Sequence, residues 1–222
     1  MIRSREEFDA RCASEEGFVG ETIEGVNLDG ASYPYLNFDG ATFVRCSARG
    51  TTFTHARFRG AKFIAVDFSA ADLTGIDGLD LHVAGEGEFG CRFDLARFDD
   101  ADLSGAKLSA ASLSQASLAR VSLRDAEVEG VGLRGASLVR ATLSSARFTR
   151  VDLSGARLDE AALNKASLRG CNLSIASIQG ADGSGADLTG ADLSGTIFTG
   201  PASPKRILTT PRCEERFSTA PI

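Results

Sequence analysis

The chain is 222 residues long, 43% apolar, 24% charged and 7% aromatic, which suffices for a sizeable core and excludes a disordered tail. Its formal charge of -6, from 24 Lys and Arg against 30 Asp and Glu, argues against direct nucleic-acid binding, because neutralising phosphates takes a basic surplus. With two His, no Trp and one Met, few groups remain for chemistry; no long apolar run or secretory leader is visible, so a cytoplasmic protein without membrane contact is expected.

Ser4-Arg5-Glu6-Glu7 reads as a capping box, with the Ser oxygen accepting from the amide three residues on and Glu7 reaching back. It predicts a short helix from about residue 5 to residue 14. Phe8 and Cys12 lie four apart on one face of that helix, where they would close the end of the next layer, so residues 1–25 are expected to form an N-terminal cap.

From Leu28 to Phe198 every fifth residue is large and apolar, except at Ala48, Gly78, Glu88 and Gly183. Phe43, Phe53, Phe58, Phe63, Phe68, Leu103, Leu113, Leu153 and Leu193 are among these candidate core residues. Two positions earlier the residue is usually Ala, as in Ala41, Ala101, Ala111 and Ala191, or Cys, as in Cys46, Cys91 and Cys171. Between them sits a short polar residue such as Asp102, Ser112 or Asn172, and Gly often closes the unit. A helix needs apolar spacings of three and four and a strand needs alternation by two, so a sustained period of five fits neither. It fits a chain that turns a corner every five residues, with the small and large positions both facing a central axis.

The frame weakens between Ile76 and Gly90. Gly78 and Glu88 occupy large apolar positions, Glu86 a small one, and Leu79 and Phe89 fall out of phase. Burying two unpaired carboxylates would be too costly, so the coil must bulge or loop out near 76–90, helped by Gly75, Gly78, Gly85, Gly87 and Gly90. Beyond Gly200 the composition shifts to Pro201, Pro204, Pro211 and Pro221 with four basic residues, which predicts a Pro-rich tail over 201–222 without a long helix.

Ala101-Asp102-Leu103-Ser104-Gly105 and Ala191-Asp192-Leu193-Ser194-Gly195 resemble the motif of the pentapeptide-repeat family, over roughly residues 26–200. The resemblance implies an all-β solenoid, a right-handed quadrilateral β-helix with four units to a turn, so that residues 20 apart stack. Relatives that protect topoisomerases dimerise through an apolar C-terminal helix. The tail here departs from that pattern, and a monomer or weak homodimer is expected.

His55 and His82 fall at outward positions without partners at metal-ligand spacing, and read as surface histidines. Five cysteines, three of them at inward small positions, read as packing groups in a reducing compartment. The Ser and Asp residues recur because the corner wants a short polar side chain, no catalytic triad converges, and Gly183-Ser184-Gly185 lacks the Lys and helix of a phosphate loop. Neither enzymatic activity nor a metal or cofactor is expected.

Stacking residues 20 apart accumulates no continuous acidic wall. Along the chain, however, an acidic band spans about 71–105 and coincides with the weak segment. Its residues Asp77, Asp80, Glu86, Glu88, Asp94, Asp99 and Asp100 are the candidate protein-binding groups, carried toward a basic partner surface by a local irregularity. The expected function is therefore a non-enzymatic protein-binding scaffold. The family resemblance implies two alternatives: a DNA-mimicking protector or inhibitor of DNA gyrase or topoisomerase IV conferring quinolone or toxin resistance, or an accessory of bacterial effector secretion.

Overall fold

Three consecutive residues of each unit are extended, so the first and third point the same way. In Ala56-Arg57-Phe58, Ala56 and Phe58 are both fully buried while Arg57 is exposed. The next two residues turn the corner, and the second takes positive φ. That position is Gly in units such as Gly40, Gly60 and Gly105, but also Arg45, His55 and Arg120. The computed structural model of the protein describes residues 1–12, 17–86 and 88–198.

The units wind into a parallel solenoid. On its first face seven strands pair side by side: β1 (Thr22–Glu24), β2 (Thr42–Val44), β3 (Lys62–Ile64), β4 (His82–Ala84), β6 (Lys107–Ser109), β8 (Glu127–Glu129) and β9 (Arg147–Thr149). On the second face β5 (Cys91–Arg92) pairs with β7 (Ala111–Ser112). Single bridges such as Thr52↔Asp72 and Ser122↔Thr142 continue the ladder on the other faces. Backbone groups are thus paired with the turns on either side: Phe58 N–H donates to Asp77 O at 2.7 Å and Arg57 N–H to Leu36 O at 2.9 Å.

The polar position works as the corner demands. The side chains of Asp67, Asp72, Asp102, Asp152 and Asn172 each accept a hydrogen bond from the backbone N–H two residues on, at 2.9–3.1 Å. Where Asp instead follows the large residue, it accepts from the next turn: Asp29 from Arg49 N–H and Asp99 from Ala119 N–H.

The interior is filled throughout. Eight of the nine candidate core residues are at most 3% exposed, and Leu193, in the last described turn, is half-buried. Each buried Leu or Phe contributes roughly 1.5–3 kcal/mol. Phe rings form a stack in the N-terminal half, Phe18 on Phe38 at 4.8 Å and Phe38 on Phe58 at 4.9 Å. From Leu103 onward Leu mostly takes over.

Helix α1 (Arg5–Cys12) caps this stack. Glu7 N–H donates to Ser4 Oγ at 3.1 Å, while the Glu7 carboxylate accepts from Arg3 N–H at 2.8 Å, one residue beyond the capping-box partner. The expected helix residues 13 and 14 lie outside the described residues. Phe8 packs on Phe18 at 4.4 Å and Tyr33 at 4.8 Å, and the Tyr33 hydroxyl donates to Asp9 at 2.7 Å. The ladder also includes Ile2, β1 and Phe18, residues placed with the cap by their sequence. The expected Pro-rich tail over 201–222 lies outside the described residues.

The weak segment loops out by one whole unit. Up to β4 the register is 20 residues, with Lys62↔His82; across the segment it becomes 25, with His82↔Lys107 and Asp67↔Arg92; beyond it 20 returns, with Cys91↔Ala111. Phe68 and Phe93 stack at 5.2 Å across the 25-residue step. Stacking at a constant 20 therefore misassigns every unit beyond residue 90 by one face, because five residues have left the coil. Gly78 stays inside: Leu103 occupies the place its side chain would take, 2.7 Å from a Cβ built there, and Leu81 fills the adjoining small position.

Candidate functional site

Glu86 and residues 88–90 form a finger at the corner between the first and second faces. Glu86 and Phe89 pair antiparallel, Glu86 N–H donating to Phe89 O at 2.7 Å and Phe89 N–H to Glu86 O at 3.1 Å. Glycines flank the finger because the backbones approach closely. A Cβ on Gly90 would lie 2.2 Å from Ala110 O, and one on Gly85 2.8 Å from Phe89 O. Arg45, two turns earlier, holds the base through two contacts of 2.9 Å to Glu86 and a further one to Glu24.

Phe89 projects outward, 75% exposed. Next to it Glu88 is exposed and makes no ion pair among the described residues. The finger overhangs a cleft of about 810 Å³ toward the preceding turns, lined by Ala65 with Val66 buried behind it. A second cleft of about 520 Å³ lies on its other side, against Ala110, Ala111 and Gly130.

The remaining candidate binding residues do not gather into one patch. A turn visits four faces, so an acidic band in sequence becomes a ring around the rod. Asp94 lies on the second face, Asp99 and Asp100 on the third, and Asp77 and Asp80 on the fourth, with Glu86 and Glu88 on the finger. Most are engaged. Asp77 pairs with Arg59 at 2.6 Å, and its second carboxylate oxygen is buried without a partner. Asp80 lies against Gly105. Asp94 accepts from the Ser112 hydroxyl and Ser114 N–H, and Asp99 from the Ser117 hydroxyl at 2.5 Å and Ala119 N–H at 3.0 Å. Both brace the coil. Asp100 meets Arg120 at 2.6 and 2.7 Å, which holds its carboxyl below the usual range. Sequence reasoning missed these Arg partners because they sit 18 residues away for Asp77, 20 for Asp100 and 41 for Glu86, on other turns of the coil.

His55 stacks on Tyr35 at 5.4 Å and covers Gly75, and His82 is exposed on β4 between Lys62 and Lys107. Cys46, Cys91 and Cys171 are buried with free thiols, and burial pushes the Cys91 thiol up to about 11. Among the described residues no His, Cys, Asp or Glu cluster could hold a metal, and no helix is long and apolar enough to cross a membrane.

The family described as pentapeptide repeats matches in eight copies, over residues 23–60, 43–77, 96–135, 136–174 and 163–200. The stretch left out, 78–95, contains the finger. No curated protein matches the sequence. Among solved structures, QnrB1, a plasmid-mediated fluoroquinolone resistance protein, is 22% identical with a TM-score of 0.57, over 82% of this chain and 85% of its own. HetL, involved in heterocyst differentiation regulation in the cyanobacterium Nostoc sp. strain PCC 7120, is 25% identical with a TM-score of 0.40, over 85% of this chain and 91% of its own.

Proposed function

The chain belongs to the pentapeptide-repeat family, and from that premise we propose that it is a non-enzymatic, cytoplasmic scaffold that binds another protein. One observation carries the reading: inward side chains fill the rod from end to end of the described turns, so recognition falls to the outer surface, where the finger is the main departure from the regular coil. A rigid rod with one protruding aromatic side chain suits docking, because little conformational entropy is lost on binding.

Co-purification with the tagged chain from its native cell tests this. A partner captured by the full chain and lost on removal of residues 86–90 supports it. A partner held equally well without them moves the binding surface elsewhere on the rod, and the recovery of no partner argues against the scaffold.

A second reading, a protector or inhibitor of a type II topoisomerase through mimicry of DNA, draws on the fold shared with QnrB1. DNA mimicry requires unneutralised charge along a face, whereas here Asp29, Asp100, Glu160 and Asp187 each meet an Arg of a neighbouring turn. A gyrase supercoiling assay, with and without a quinolone, separates the two. No effect at micromolar protein removes the second reading.

A further inference from the structure

We propose that the cleft under the finger receives a short segment of a partner protein in which a bulky apolar side chain stands next to a lysine or arginine. The proposal rests on the scaffold reading and names the chemistry of what is bound.

Shape gives the first argument. Ala65 and Phe89 both line the cleft, with Val66 buried in the core behind it, so an apolar side chain entering it would lie against Ala65 and the Phe89 ring. On the far side of the finger Ala110, Ala111 and Gly130 keep the relief low, and an extended chain could cross the corner beneath Phe89. An aromatic side chain already exposed on a hairpin braced by Arg45 buries its ring at little ordering cost.

Charge gives the second argument. Two cations and three carboxylates line the cleft, but they are unequally engaged. Arg45 is spent between Glu24 and Glu86, and Arg92 lies between Asp67 at 3.9 Å and Asp94 at 3.6 Å. Glu88 alone of these has no cation among the described residues, and it is the immediate neighbour of Phe89. The occupant that complements this arrangement is apolar where it meets Ala65 and Phe89 and positive where it meets Glu88. An anionic lipid surface or a nucleic acid would bring negative charge to that carboxylate.

The test is a displayed library of random peptides panned on the full chain, with Phe89→Ala and Glu88→Lys in parallel. Circular dichroism first establishes that both variants melt as the parent does, as exposed positions should. The expected result is enrichment of sequences pairing Leu, Ile or Phe with Lys or Arg. Synthetic peptides of that pattern should bind the parent measurably by fluorescence polarisation, and at least tenfold more weakly to either variant. Salt should weaken binding to the parent and strengthen the residual binding to Glu88→Lys, where like charges face each other. Enrichment of acidic or uncharged sequences, affinity unchanged by Phe89→Ala, or no enrichment on the parent would each overturn the proposal. In the first two cases the rod still binds peptides and the scaffold reading stands; in the third, capture of a native partner by the full chain decides that reading separately.

Discussion

Removing residues 86–90 should leave the rod folded. The finger accounts for the whole difference between the 25-residue step and the 20-residue register elsewhere, so joining Gly85 to Cys91 restores an unbroken coil. The junction Ala84-Gly85-Cys91-Arg92-Phe93 then matches the corner Ile64-Ala65-Val66-Asp67-Phe68, where Ala65 has φ of 53°, a conformation Gly85 can adopt freely. Little is lost. The Arg45–Glu86 pair is about half exposed on both sides and is worth at most about 1 kcal/mol. Phe89 buries a quarter of its surface, worth less than about 1 kcal/mol. The deletion should therefore cost no more than about 2 kcal/mol, or a shift of roughly 4–8 °C in Tm for a chain of this size. Removing only residues 86–89 leaves one residue too many for the corner and should destabilise substantially more. Thermal melts followed by circular dichroism compare the two. If the five-residue deletion unfolds the chain, or if both deletions melt alike, the finger is part of the coil and the register argument is wrong.

Other substitutions probe the core, the corner and the charges. Leu113→Asp places an unpaired charge inside the rod and should cost several kcal/mol, while Ser144→Asp, on the outer surface, should stay within about 0.5 kcal/mol; urea titrations measure both. Gly90→Ala drives a methyl group against Ala110 O and should cost about 1–3 kcal/mol by the same measurement. The Asp187 carboxyl is held down to about 2 by the Thr189 hydroxyl and N–H and then by Arg169. Because its folded value lies below its unfolded one, its contribution is present above about pH 4 and is lost as pH falls toward 2. Asp187→Asn keeps an oxygen for the Thr189 N–H but does not titrate, so the difference in Tm between parent and variant should shrink from pH 5 to pH 2. A difference independent of pH would show that the carboxylate is not the group responsible.

The amino-acid order by itself determined the five-residue frame, the two inward positions and the polar corner residue. Each is a local requirement: extended residues alternate, a corner needs a left-handed or Asx-supported turn, and water excludes Leu113 from the outer surface as surely as it keeps Asp102 there. The helix before the coil was legible for the same reason, since Ser4 and Glu7 cap it within one turn. Glu86 and Glu88 also marked where the frame failed, because neither carboxylate could be buried unpaired.

Only the tertiary structure decided which face each unit occupies. A looped-out segment of one whole unit leaves the phase of five intact, so nothing in the spacing of Phe93, Phe98 or Leu103 reports that they have moved one face on from where a count of 20 puts them. The face depends on how many units lie in the coil, and that number is set by the packing of Phe93 on Phe68 and Leu103 beside Gly78. The same accounting sets which charges meet across the segment, placing Asp67 beside Arg92 and Asp72 beside Arg97 at 25 residues instead of 20. Electrostatic neighbours in a solenoid are a full turn apart in sequence, and the length of that turn is a property of the folded coil.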